Sequence, residues 1–338
     1  MPDPSPLSLT DRALGAFWGL ALGDALGMPS QTLTCAEIRA HYGQITDFIA
    51  PFEDHPFSHG LKAAQVTDDT EQALLLAMRL IAEPGGFDAV GWAKDLLAWE
   101  ADIRCRGLRD LLGPSTKAAL DAILAGVDPD EASKGGTTNG AAMRVAPIGI
   151  ATAADDIKAL VDQVELSSRV THNTGEAIAG ASAVAAMISA LLDGATIEAA
   201  FGIALQAASE GQKRGHAAGV SDMAARIEAA VTFAKTAPGV EGFADAVGTS
   251  VASHHAVPAA FGLLFMSAGD AWATAVMAAN IGDDTDTIGA IAAAMAGAAS
   301  GMAALPQGKL AALRAANDLE IAGIVDGLLN LRRKGISE

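Results

Sequence analysis

Two short segments, Thr67-Asp68-Asp69-Thr70 and Asp283-Asp284-Thr285-Asp286-Thr287, set adjacent carboxylates among threonine hydroxyls. All are hard oxygen donors, the kind that bind Mg2+, Mn2+ or Ca2+. Neighbouring carboxylates repel, and gathering four or five of them is costly unless a cation neutralises the cluster. Each segment also opens a predicted helix. Taken alone, each therefore reads as a cap, with acidic residues in the first turn complementing the helix dipole. Two such segments in one acidic, histidine-poor chain point instead to a shared oxygen-ligated metal site. Asp284 and Asp286 would face different ways on a regular helix, so they converge only on a loop or first turn.

A second signal is the run Gly135-Gly136-Thr137-Thr138-Asn139-Gly140-Ala141-Ala142-Met143-Arg144. A glycine-rich turn of this kind can present successive backbone N–H groups to an anion. Arg144 then meets a phosphate or carboxylate, or simply pairs within the fold. The histidines carry less. His55 and His59 are separated by Pro56 and read as loop residues rather than a zinc pair. His254-His255 precedes an apolar helix and reads as structural. Cys35 and Cys105 have no His/Asn pattern near them, which argues against a nucleophilic thiol, and no disulfide framework is expected. A Walker loop, a dinucleotide fingerprint and a Gly-x-Ser-x-Gly elbow are all missing from the sequence.

Helices must position these residues, because period-2 alternation is nowhere convincing. The pattern predicts a first helix capped by Thr10, and another over 69–82 with Leu74, Ala77, Met78 and Ile81 on its apolar stripe. Further helices are expected over 89–99, 115–124, 157–169, 176–192, 197–208, 220–234, 257–267, 272–279, 288–305 and 309–331. The stretch 29–66 reads as a long irregular loop, more often functional than idle at that length. Together these predict one all-α domain, a multi-helix orthogonal bundle over 1–338 with a loose tail at 1–9. The chain has 338 residues, a net charge of −18, 51% hydrophobic residues and only 4% aromatic ones. Such a composition excludes disorder and argues against nucleic acid or an anionic membrane as partner. The uncharged run 288–305 imitates a membrane span, with Gly297 and Gly301 in small-xxx-small spacing, but its Ala/Gly content reads as a close-packed core helix. A cytoplasmic protein without membrane attachment is expected.

Motifs along nearly the whole chain, in order, resemble the ADP-ribosylglycohydrolase family of the dinitrogenase-reductase-activating type. They are Gly15–Pro29, Thr67-Asp68-Asp69-Thr70, Gly113-Pro114-Ser115-Thr116-Lys117, Thr138–Arg144, Thr171-His172 and Asp284–Ala290. The resemblance implies two Mg2+ (or Mn2+) ions held by Thr67, Asp68, Asp69, Asp284, Asp286 and Thr287. It implies that Gln31, Gly136, Asn139, Gly140, Met143 and His172 line a site for ADP-ribose, and that Asp69 or Asp286 takes a proton from water. The implied reaction is cleavage of a ribosyl N- or O-glycosidic bond, removing ADP-ribose from a modified protein or small molecule. A hydrolase of smaller ribosides or nucleosides, or a non-catalytic ADP-ribose binder, is the alternative. Three positions depart from the family pattern. Gln31 stands where many relatives have Glu, His255 where close relatives tend to have Glu, and Asp283 where a second Gly is usual. Two carboxylates lost and one gained imply an altered substrate or activity.

Overall fold

In the computed structural model, residues 7–108, 113–217 and 222–335 are described. Their elements are α1 (Leu9–Gly27), α2 (Cys35–Tyr42), α3 (Asp68–Ala82), α4 (Ala89–Cys105), α5 (Pro114–Leu124) and α6 (Pro129–Ala132). Next come α7 (Gly140–Met143), α8 (Ala146–Ala151), α9 (Ile157–Ser168), α10 (Gly175–Leu192), α11 (Ile197–Gly211) and α12 (Met223–Ala234). The last six are α13 (Val240–Val247), α14 (Ser253–Met266), α15 (Ala271–Ala279), α16 (Thr285–Ser300), α17 (Gln307–Ala316) and α18 (Ile321–Gly335). Only isolated bridges, and no strand, occur among the described residues. The fold is all-α.

Small residues organise its centre. From Ala13 to Gly27 every residue of α1 except Leu14 is buried. Glycines recur every fourth position on this helix, and their bare face lies directly on α16, which runs antiparallel. A Cβ on Gly23 would stand 2.0 Å from the Gly289 carbonyl oxygen, and one on Gly27 2.4 Å from that of Thr285. No side chain fits between the two backbones there. Around this pair, α15 packs on both helices, α3 and α18 pack on α1, and α10 reaches α16, α14, α11, α9 and α8. The aromatic shortage of the sequence thus becomes helices set closer than large side chains allow.

Helix ends depart from the periodicity in several places. Ser8, not Thr10, caps α1, accepting the Asp11 amide. The buried face of α3 runs through Asp69, Ala73, Leu76, Ala77 and Leu80, which leaves Met78 49% exposed. The region read as irregular contains α2, whose Thr34 and Glu37 form a reciprocal capping box. The apolar run at 288–305 breaks at Gly301, where φ is +76°. Likewise the stretch 309–331 is two helices, because Asn317 leaves the helix to bond Val66 N and Ala64 O. One helix, Gly175–Leu192, is long and apolar enough to cross a membrane, and all of it is buried in this core. The start expected for α12 at 220 falls outside the described residues, as does most of the expected tail at 1–9.

The packing of α1 on α16 and of α3 on α1 has one consequence for chemistry. It brings the C-terminal end of α1 to the N-terminal ends of α3 and α16.

Candidate active site

Asp24, near the end of α1, is buried and accepts four hydrogen bonds from the head of α3. They come from the Thr67 amide (3.0 Å), Thr67 hydroxyl (2.8 Å), Thr70 amide (3.1 Å) and Thr70 hydroxyl (2.5 Å). Burial pushes the Asp24 carboxyl up to about 6, and these bonds work against the rise. Thr67 occupies the N-cap position of α3 yet caps nothing. Its hydroxyl lies instead between Asp24 Oδ1 and Asp69 Oδ2, at 2.8 and 3.2 Å. Asp284, at the N-cap of α16, also bonds no helix amide; Asn139 Nδ2 donates to its Oδ2. The capping alternative therefore fails in both segments at the residue that would carry it.

Thr287 brings the two segments together, its hydroxyl standing 3.4 Å from Asp69 Oδ2. A cavity of about 210 Å3 opens beside them. Asp68, Asp284, Asp286 and Thr287 line it, as do Gln31, Asn139, Gly140 and Met143. Thr67 and Asp69 sit immediately behind this lining. A larger cavity, about 460 Å3, lies between the α3–α4 turn, α8 and α18. It contains none of the predicted site residues, and its buried Arg332 is already spent on Thr152 O and Asp193.

Two predicted ligand-lining residues lie outside the smaller cavity. Gly136 packs against the Thr171 backbone, where a Cβ would approach the Thr171 carbonyl oxygen to 2.3 Å. His172 is fully buried behind Gly140, with Nε2 2.9 Å from the Thr138 hydroxyl and Nδ1 2.8 Å from that of Thr171. Both residues shape the 137–143 loop from behind. Burial holds the His172 imidazole well below its usual value and hence neutral. Arg144 resolves to pairing within the fold. It is buried, donates to Gln72 Oε1 (2.8 Å) and Thr171 Oγ1 (2.5 Å), and lies over the Trp92 ring. Gln72 in turn donates to Asp68 Oδ2 at 3.4 Å. A buried guanidinium without a carboxylate of its own thus leans toward the acidic cluster through one amide.

The strap 249–253 ties the remaining parts together. Thr249 O accepts the Asp284 amide, and Val251 O accepts the Asn139 amide. His255 bonds Ser250 rather than facing the cavity, and Asp283 is exposed, held by backbone bonds in both directions with the Thr32–Leu33 stretch. The replaced positions at His255 and Asp283 thus stay outside the lining, and only Gln31 belongs to it.

His55 supports the Gln31 part of the lining. Its Nδ1 accepts the amides of Phe57 (3.2 Å) and Ser58 (2.9 Å). Burial pushes the imidazole down to about 4, and protonating Nδ1 would also sacrifice both bonds. A folded value below the unfolded one means stability present above about pH 6.5 and lost as pH falls toward 4. We expect the His55→Asn variant, which keeps an acceptor, to lack a loss of up to about 3 kcal/mol that the native chain shows across that window. Urea unfolding at stepped pH measures this, and parallel stability curves for the two proteins would sink the assignment.

Burial raises Asp68, Asp69 and Asp286 well above the usual carboxylate range, and their mutual charges add to it. Asp284 is pushed up to about 7, also chiefly by burial. Asp69 Oδ1 is buried without a hydrogen-bond partner. Among the described residues no three carboxylate, imidazole or thiol groups gather closely enough to form a cation cage by themselves. A cation here would need hydroxyl, backbone or water oxygens besides the carboxylates, and the hydroxyls of Thr67 and Thr287 stand nearest Asp69. An orphaned carboxylate oxygen within an all-oxygen donor set fits a hard divalent ion. Asp24 escapes notice in the sequence, where it is one aspartate in an apolar helix; the four-residue glycine spacing around it is the available signal.

Comparison with known proteins is consistent over the whole chain. Residues 5–337 match the ADP-ribosylglycohydrolase family. The protein YegU of Escherichia coli is 35% identical over 96% of this chain and 98% of its own. The ADP-ribosyl-[dinitrogen reductase] glycohydrolase of Rhodospirillum rubrum is 32% identical over 57% of this chain and 62% of its own. ADP-ribosylarginine hydrolase Tri1 of Pseudomonas putida is 28% identical over 89% and 74%. A solved structure titled as an ADP-ribosylglycohydrolase-related protein complex superposes with a TM-score of 0.68, at 24% identity, over 96% of this chain and 99% of that one. Carrying two acidic-threonine segments that converge on one cavity, the chain belongs to the ADP-ribosylglycohydrolase family of hydrolases.

Proposed function

We propose that this protein is a divalent-cation-dependent glycosidase that releases a ribosyl group, in the first instance ADP-ribose, from an N- or O-linked acceptor. One observation carries the reading. Thr67 and Asp284 stand at helix N-cap positions without capping, Thr67 turning its hydroxyl to Asp24 and Asp69 and Asp284 lining the cavity, while Asp69 Oδ1 is left buried and unpartnered. Thr67, Asp68, Asp69, Asp284, Asp286 and Thr287 would hold two Mg2+ (or Mn2+) ions. When bound, such ions offset the carboxylate repulsion and make a nearby water more acidic.

The side chains supply the rest. Asp69 is placed as proton acceptor ahead of Asp286, whose Oδ1 already takes the Thr287 amide. Asn139 orients Asp284. The surrounding carboxylates stabilise the positive charge that develops on the ribose as the glycosidic bond lengthens. Support for the smaller-riboside alternative comes from the cavity, which at about 210 Å3 falls below the roughly 300–1,000 Å3 usual for drug-sized ligands.

The test is turnover. ADP-ribosylarginine, ADP-ribosylserine and ribonucleosides would each be incubated with the protein and Mg2+, and released ribosyl product quantified. Release from at least one substrate, abolished by EDTA and restored by Mg2+, is the expected result. Absence of release from all of them by cation-loaded protein would end the proposal.

A further inference from the structure

The cavity lining divides by chemistry. Beside the carboxylates, Thr116, Thr138, Asn139 and Gly140 offer hydroxyl, amide and backbone donors suited to sugar and phosphate oxygens. The stretch made by Gln31 and Phe57 is different. No side chain in it carries a charge, and Phe57, the one aromatic ring among the described lining residues, is 49% exposed. An exposed aromatic ring beside a cavity offers a stacking face.

Gln31 has a fixed orientation. The Ser58 hydroxyl donates to Met28 O at 2.8 Å, so towards Gln31 it can act only as an acceptor. Gln31 Nε2 fills that role as donor at 2.7 Å. One N–H of the amide is therefore committed to Ser58, and Oε1 and the second N–H are the groups left for a ligand. Ser58 is itself fixed, since its amide donates to His55 Nδ1. A stacking face next to an oriented amide, with one acceptor and one remaining donor, suits a flat, uncharged group that carries an N–H beside a ring nitrogen or carbonyl acceptor. It suits a guanidinium poorly, because this stretch has no carboxylate to pair that charge and the cavity's Asp68, Asp284 and Asp286 are the ones proposed to hold the cations.

We infer that the Gln31–Phe57 stretch receives the leaving group, and that this group is a neutral planar heterocycle of the nucleobase class, not an arginine guanidinium. The inference rests on the glycosidase reading above. In the reaction, the C1′–N bond breaks with its electron pair going to the base nitrogen, and a water oxygen bonds to C1′. Of the two water protons, one remains on the new hydroxyl and the other is taken up by a site carboxylate, from which it returns to the released base. Phe57 would stack on the ring and Gln31 Oε1 would accept its N–H.

Two sources share this chemistry: a plain ribonucleoside, and a base bearing ADP-ribose through the distal ribose. The test measures kcat/KM for both, alongside ADP-ribosylarginine, with native protein and the Gln31→Glu and Phe57→Ala variants. Calorimetry of a free purine base on the Mg2+-supplemented protein runs in parallel. We expect base-linked substrates to exceed ADP-ribosylarginine at least tenfold in native protein. Phe57→Ala should lose fivefold or more on base-linked substrates and weaken base binding similarly, with a clearly smaller loss on ADP-ribosylarginine. Gln31→Glu should shift the ratio towards ADP-ribosylarginine tenfold or more. Whichever base-linked source is faster identifies the substrate. Preference for ADP-ribosylarginine in native protein, or equal losses on all substrates in Phe57→Ala, overturns the inference while the glycosidase reading stands. Base binding that depends on Phe57, without turnover of anything, leaves the recognition in place and removes the glycosidase reading. Neither binding nor turnover removes both.

Discussion

Asp69→Asn is expected to make the cation-free protein more stable, yet nearly inactive and much less responsive to Mg2+. The three effects have one origin. Asp69 is buried beside Asp68, Asp24 and Asp284, and burial and these charges hold its carboxyl well above the ordinary range. A folded value raised above the unfolded one means that keeping the group ionised at neutral pH costs stability, and the cost grows as pH rises. Asparagine has nearly the same shape without the charge, so the cation-free variant should be more stable than the native chain. A divalent ion bound as proposed would relieve the same repulsion, so Mg2+ should raise the native chain's melting temperature progressively with its concentration. The variant loses a ligand oxygen and much of that gain. Losing the proton acceptor should lower kcat by about 10²–10⁴-fold. Melting curves with EDTA and with Mg2+, for both proteins, check the crossing. A variant less stable than native in EDTA, or still stabilised by Mg2+ to the same degree, would refute the account of this cluster.

The two acidic segments were legible because their chemistry is contiguous: four or five oxygen donors in a row at a predicted helix start. What could not be read was which way each oxygen turns. Thr67 as cap and Thr67 as partner of Asp24 have the same local sequence; the difference is made by a carboxylate 43 residues away. His172 and Gly136 illustrate the opposite error. Both neighbour the ligand loop in sequence or in space, but a residue behind a loop and one facing the cavity leave the same trace in a motif. Arg144 is similar, since nothing in the order of residues distinguishes an anion-binding guanidinium from one stacked on Trp92. The long helices were readable from composition and periodicity, whereas α2 was not, because it buries only Ile38 and so lacks an apolar stripe. Its capping box, Thr34 with Glu37, was the readable signal. The join between α17 and α18 is set by Asn317 reaching Val66 and Ala64, a tertiary contact without a local signature.

The glycine face of α1 gives the second large effect, and a way to separate fold from chemistry. Gly15→Ala and Gly27→Ala place the same methyl group against the same kind of neighbour. A Cβ at Gly15 would stand 2.3 Å from Gly297 O, and one at Gly27 2.4 Å from Thr285 O and 2.6 Å from the Asp286 Cα. These are backbone atoms that cannot rotate aside, so α1 and α16 must move apart. Overpacking of this sort costs about 1–3 kcal/mol and more where the backbone itself must shift, so both variants should melt well below the native chain. Their activities should part company. At Gly15 the displaced end of α16 is Gly297 to Gly301, remote from the cavity. At Gly27 it is the turn carrying Asp284, Asp286 and Thr287, whose distance to Asp69 is set across this contact. A misplacement near 1 Å is enough for roughly a hundredfold loss of rate. At a temperature where both variants remain folded, Gly15→Ala should keep kcat within a few-fold of native, and Gly27→Ala should lose about two orders of magnitude. Equal activities in the two would mean that α16 tolerates displacement at its catalytic end. The close glycine contact would then serve stability alone, and positioning of Asp284 would fall to Asn139, Thr249 and the strap that holds them.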